Sequence, residues 1–86
     1  MAQRRVVITA HAGLHARPAA ELARLAQERE GGIRIRTAGA TVDAASVLAV
    51  MDLALERGAE IVLETEGPDA EAALETAAGL LDPRGV

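Results

Sequence analysis

The spacing of apolar positions changes rhythm repeatedly along this chain, and each change predicts an element. In residues 4–10, Val6 and Ile8 fall on one side and Arg5 and Val7 on the other, the period of a strand that stops near His11. From Pro18 onward, Ala19, Leu22, Ala23, Leu25 and Ala26 recur at helical spacing, with Glu21, Arg24 and Glu28 outside, so an amphipathic helix is expected there, ended by Gly31-Gly32. Ile33 and Ile35 then alternate with Arg34 and Arg36, Ala38-Gly39 supplies a turn, and 40–43 can return as a paired strand. Ser46 stands before the apolar run 47–55, where its hydroxyl can cap a second helix that closes around Arg57-Gly58. Ile61, Val62 and Leu63 predict the last strand. After Gly67-Pro68-Asp69, the positions Ala70, Ala73, Leu74, Ala77 and Leu80 predict a third helix, with Asp69 as its cap and Asp82-Pro83 as its stop.

The resulting order is β-α-β-β-α-β-α. Charged residues alternating along the strands (Arg34, Arg36, Glu64, Glu66) predict one sheet face toward solvent and all the helices on the other. The expected class is α+β, two-layer: an open-faced β-sandwich whose four-stranded, mostly antiparallel sheet carries three helices on one face. Residues 1–86 are expected to form a single domain, with no internal repeat or low-complexity linker.

Composition narrows the picture. The chain has 86 residues and no Phe, Tyr, Trp or Cys, so its core must be built from Val, Ile, Leu, Met and Ala. Without aromatic stacking platforms and with a net charge of -4, nucleic-acid binding is disfavoured. The lack of cysteine excludes disulfides, zinc–thiolate sites and thiol catalysis, and agrees with a reducing compartment. No apolar run approaches the ~18 residues of a membrane span, and the apolar stretch after Arg4-Arg5 is too short for a signal-peptide core. The expected location is cytoplasmic, with no membrane insertion.

The segment from His11 to Pro18 joins the first strand to the first helix. Such junctions suit anion chemistry, because the first helical amides have no internal partner and the positive end of the dipole faces outward. A histidine there can accept a phosphoryl group on a neutral ring nitrogen and release it again. The backbone N–H groups and the Arg17 guanidinium could stabilise charge on the transferred oxygens. The dipole should also disfavour the imidazolium form of His15, an expectation that a clearly raised histidine pKa would contradict. On spacing alone, however, a loop histidine is more often a solvated surface residue, and Gly13 is equally a turn residue.

The run Gly13-Leu14-His15-Ala16-Arg17-Pro18-Ala19 resembles the active-site signature of the HPr family, the histidine-containing phosphocarriers of the sugar phosphotransferase system. The expected element order resembles that family's open-faced sandwich over the whole chain. The resemblance implies a relay in which enzyme I, charged from phosphoenolpyruvate, passes phosphate to Nδ1 of His15. His15 then hands it to a sugar-specific enzyme IIA, with Arg17 assisting. It implies a carrier and not an enzyme, with no cofactor, acting as a monomer. A regulatory serine of the family is matched by Ser46, which would add an HPr kinase/phosphorylase as a partner. Ala45 and Ala49 depart from the residues usual around that serine, and a plain N-cap explains Ser46 equally well.

The second helix is apolar nearly all round, so a domain of this size cannot bury all of it. The resemblance implies that Ala16, Arg17, Ala20, Arg24, Val47, Leu48 and Met51 form the partner-binding face, while Val50 and Leu53 or Leu55 suit the core. His11 and His15 are four apart, but Gly13 argues against a helix there and no third ligand has motif spacing, so no metal site is expected. Two other readings stay open: a sensing or structural interaction domain in which His15 is incidental, and a nitrogen-related or regulatory paralogue using other donor and acceptor proteins.

Overall fold

The alternation and helical periodicity give the expected succession of elements in a computed structural model, which describes residues 2–9 and 16–82. These elements are β1 (Ala2–Val7), α1 (Ala16–Gln27), β2 (Arg34–Arg36), β3 (Thr41–Asp43), α2 (Val47–Asp52), β4 (Glu60–Thr65) and α3 (Ala70–Leu81). The strands form one sheet in the order β1-β4-β2-β3. Every pairing is antiparallel, so the sheet is antiparallel throughout and not only mostly so.

Period-two alternation places Val6, Ile35, Ile61 and Leu63 on the sheet face covered by helices, where all are buried. Against them pack Ala19, Leu22 and Ala26 of α1, Val50 of α2, and Leu74, Ala77, Ala78 and Leu81 of α3. The division of labour compensates for the lack of aromatics. Branched side chains on the sheet supply volume, and alanines on α1 and α3 let the helices approach closely.

The other face carries Gln3, Arg5, Arg34, Arg36 and Glu64, brought opposite one another by the β1·β4 and β2·β4 registers. The charge alternation predicts a solvated face, but in the structure it is not uniformly so. Glu64 is buried beneath its neighbours, accepting hydrogen bonds from Gln3 Nε2 at 2.9 Å and forming an ion pair with Arg36 Nη1 at 2.7 Å.

Three boundaries and one cap differ from the sequence reading. β1 ends at Val7 because the ladder breaks just beyond it: Ile8 donates to Ala59, its next partner in register, at 2.8 Å but accepts from Gly58 at 2.7 Å, and Thr9 donates to the Leu81 carbonyl at 3.0 Å. α1 starts at Ala16, two residues before Pro18, which the first turn tolerates because a proline there forfeits no intrahelical bond. α2 stops at Asp52, well before Arg57, since Leu53 and Ala54 make tight bonds to Val50 and Met51 carbonyls and Ala54 turns to a φ of 50°. Asp69 occupies the N-cap position of α3 but makes no side-chain cap, because its carboxylate accepts from Arg29 Nη1 at 2.9 Å.

Candidate functional site

His15, with His11, Gly13 and Leu14, lies outside the described residues, as does the side chain of Ala16. The site is therefore built from the residues that flank this segment and from the elements beside it. Before it, the Thr9 hydroxyl hydrogen-bonds the Asp82 carboxylate, joining the end of β1 to the C-terminal cap of α3.

After it comes the first turn of α1. Ala19, Leu22 and Ala26 bury one side of this helix in the core, which fixes its orientation. Arg17, Ala20 and Arg24 fall on the opposite, exposed side at helical spacing. The early amides of α1 have no intrahelical acceptor and carry the positive end of the dipole. The Arg17 side chain is 88% exposed, with Nε 3.6 Å from Glu21 Oε1 one turn further on.

α2 packs against α1, and the two are tied where Gln27 Nε2 donates to the Ala45 carbonyl at 2.9 Å. The turn into α2 is set by Asp43, whose carboxylate accepts from Ala45 N at 2.9 Å. Ser46 has extended backbone at the N-cap, and its Oγ accepts from Ala49 N at 3.2 Å, the cap expected of it. Val50 is fully buried, and Leu53 and Leu55 pack against the core. Leu48 and Met51 point outward, 80% and 41% exposed, whereas Val47 is partly buried against the core. Of the seven residues expected on the partner face, the structure thus places Arg17, Ala20, Arg24, Leu48 and Met51 at the surface and Val47 partly so.

A cleft of about 410 Å³ lies at the other end of α1, between Glu28–Gly31 and Glu66–Asp69, one helix length or ~18 Å from the first turn. There Arg29 holds the Asp69 carboxyl below its ordinary value by a hydrogen bond. Among the described residues no cluster of His, Asp or Glu is arranged to hold a metal, and no helix is long and apolar enough to cross a membrane.

An exposed cation in the first turn of a helix, beside a second helix with outward apolar side chains, suits the handling of an anionic group between docked proteins. Comparison with known proteins places the chain among the phosphocarriers of the phosphotransferase system, components that carry a phosphoryl group and are not catalytic enzymes. The family model described as the PTS HPr component phosphorylation site matches residues 2–82, and the chain belongs to the HPr family. It is 46% identical over 82 residues to the phosphocarrier protein HPr of Streptomyces coelicolor, covering 94% of this chain and 88% of that one. Among solved structures it is similar to HPr from Bacillus anthracis, with a TM-score of 0.84, 41% identity, and 93% and 95% of the two chains covered. It is similar also to an HPr dimer from Thermoanaerobacter tengcongensis, with a TM-score of 0.70, 30% identity, and coverages of 98% and 97%.

Three features around the site escaped the sequence reading. The Arg17–Glu21 spacing of four was visible and predicts a contact on any helix. The Gln27–Ala45 and Thr9–Asp82 links join residues distant in sequence and carry no local signal.

Proposed function

We propose that this chain acts as one domain over residues 1–86, accepting a phosphoryl group from phospho-enzyme I on His15 and passing it to an enzyme IIA. In the transfer, a neutral ring nitrogen of His15, Nδ1 by family resemblance, forms a bond to phosphorus. The bond from phosphorus to the donor breaks, and its electron pair stays on the donor. The second transfer repeats this with His15 as the leaving group. Charge gathers on the equatorial oxygens, where the Arg17 guanidinium and the first amides of α1 stabilise it. The observation that carries this reading is the run Gly13 to Ala19, in a chain of the HPr family, with Arg17 presented in an exposed first turn.

Arg17, Ala20, Arg24, Leu48 and Met51, with Ala16 and part of Val47, form the docking face for both partners. Phosphorylation of Ser46 by an HPr kinase/phosphorylase would place about two negative charges at that face and inhibit transfer. The exposed hydroxyl supports access, and its role as N-cap gives Ser46 a structural use in any case. The carrier works as a monomer in the cytoplasm, without a cofactor.

The test is the intact mass of the wild-type chain and of His15→Ala after incubation with phosphoenolpyruvate, magnesium and enzyme I, before and after brief acid treatment. One acid-labile phosphate on the wild type alone is the expected result. No added mass with an active enzyme I would overturn the sugar-system reading and leave another donor, or a sensing domain, as the explanation.

A further inference from the structure

The Arg17 guanidinium already has an anionic neighbour, and that neighbour bears on the carrier function proposed above, on which this inference rests. Arg17 sits in the first turn of α1, where the helix dipole is positive and offers a cation no stabilisation. Its one ion pair among the described residues is with Glu21, Nε to Oε1 at 3.6 Å, and the Glu21 side chain is 48% exposed. An acidic residue four positions after a basic one is the weaker orientation of a helical pair, and water screens both groups. The contact is long, made through a single nitrogen, and easily exchanged. A phosphoryl group offers two oxygens in the geometry that a guanidinium grips with parallel bonds, so it is the better partner once present.

We infer that Glu21 is a positioning residue for phosphoryl transfer: it holds the Arg17 guanidinium along α1 in the unphosphorylated protein and competes for it with the phosphoryl group afterwards. No bond is made or broken by Glu21 itself. By withholding part of the arginine from the phosphorylated form, it keeps that form less stable and so readier to discharge to an acceptor.

The experiment is a double-mutant cycle on the equilibrium between phospho-enzyme I and the carrier, read as the phosphorylated fraction by intact mass at limiting phosphoenolpyruvate. Glu21→Gln should raise the equilibrium constant about two- to threefold, the scale of an exposed i,i+4 pair. In an Arg17→Ala background the same substitution should leave it unchanged. Thermal denaturation of each variant separates this from a folding effect, since both side chains are exposed. An unchanged equilibrium in Glu21→Gln would overturn the inference, as would an equal rise with Arg17 absent, which would mean direct repulsion of phosphate. Those results leave the carrier function standing, whereas a wild-type chain that takes no phosphate overturns both.

Discussion

Glu64 shows how a sheet face that looks solvated can bury a charge. Its side chain is 7% exposed, with Arg36 at 2.7 Å, Arg34 at 3.6 Å and Gln3 at 2.9 Å. Neither arginine is itself buried as deeply, so each regains water when the carboxylate is removed. Glu64→Ala should accordingly cost about 1–2 kcal/mol in urea denaturation, below the penalty for breaking a fully buried pair. Arg29 plays a comparable part at the end of α1, donating to Thr65 Oγ1, the Glu66 carbonyl and Asp69 Oδ1. The Arg29 hydrogen bond lowers the Asp69 pKa in the folded state from its ordinary 3.8. The linked stability is fully present above that ordinary value and is lost as pH falls through the lower folded value. Stability of the wild type should therefore fall more steeply than that of Asp69→Asn on acidification below about pH 5, as compared in parallel denaturant titrations. Coincident profiles would mean that the contact is not maintained in solution.

At the scale of elements, two backbone positions carry residues that their conformations do not favour. Ala54 holds a φ of 50° just beyond α2, in the left-handed region that glycine enters without steric cost. Ala54→Gly should raise stability by roughly 1 kcal/mol, the usual cost of a left-handed non-glycine residue less the added chain entropy. Gly79 presents the opposite case. It lies inside α3, is exposed, and a Cβ there would meet nothing within 4 Å. Gly79→Ala should also stabilise, by about 0.5–1 kcal/mol. Shifts of the denaturation midpoint without a change in slope would establish both. These sites show what periodicity carries. The strand order in sequence, the cores of α1 and α3, and the Ser46 cap follow from local spacing. The early end of α2 does not, because Leu53 and Leu55 continue the apolar pattern while packing on the core from beyond the last turn of the helix. Asp69 precedes a helix as a cap should, yet a long-range arginine takes its carboxylate. Sheet register and the burial of Glu64 likewise depend on partners far away in sequence.

For the whole molecule, the candidate site was legible in one part only. The signature around His15 and Arg17 is local and readable, and a small domain with an apolar α2 must expose some of it. Which side chains emerge is decided by how α2 lies on α1 and the sheet: Val50 points in, Val47 is shared, and Leu48 and Met51 point out. Outward apolar side chains on so small a domain gain from burial only when another protein covers them. If they are anchors for enzyme I and enzyme IIA, a charge at either position must be desolvated on docking with no partner assigned to it. Leu48→Asp is the sharper probe, because Leu48 is the more exposed and stands in the first turn of α2, where an acidic residue does not oppose the helix. Its folding stability should change by no more than about 0.5 kcal/mol, while affinity for each partner falls about tenfold or more. Met51→Asp should weaken both affinities likewise, with a larger loss of stability, because Met51 is more covered and stands in the last turn of α2. Calorimetric titration against enzyme I and an enzyme IIA, with thermal denaturation of each variant alone, reads both quantities. Full affinity in either variant would remove that side chain from the docking face, and a loss confined to one partner would mean that donor and acceptor rest on different parts of the carrier.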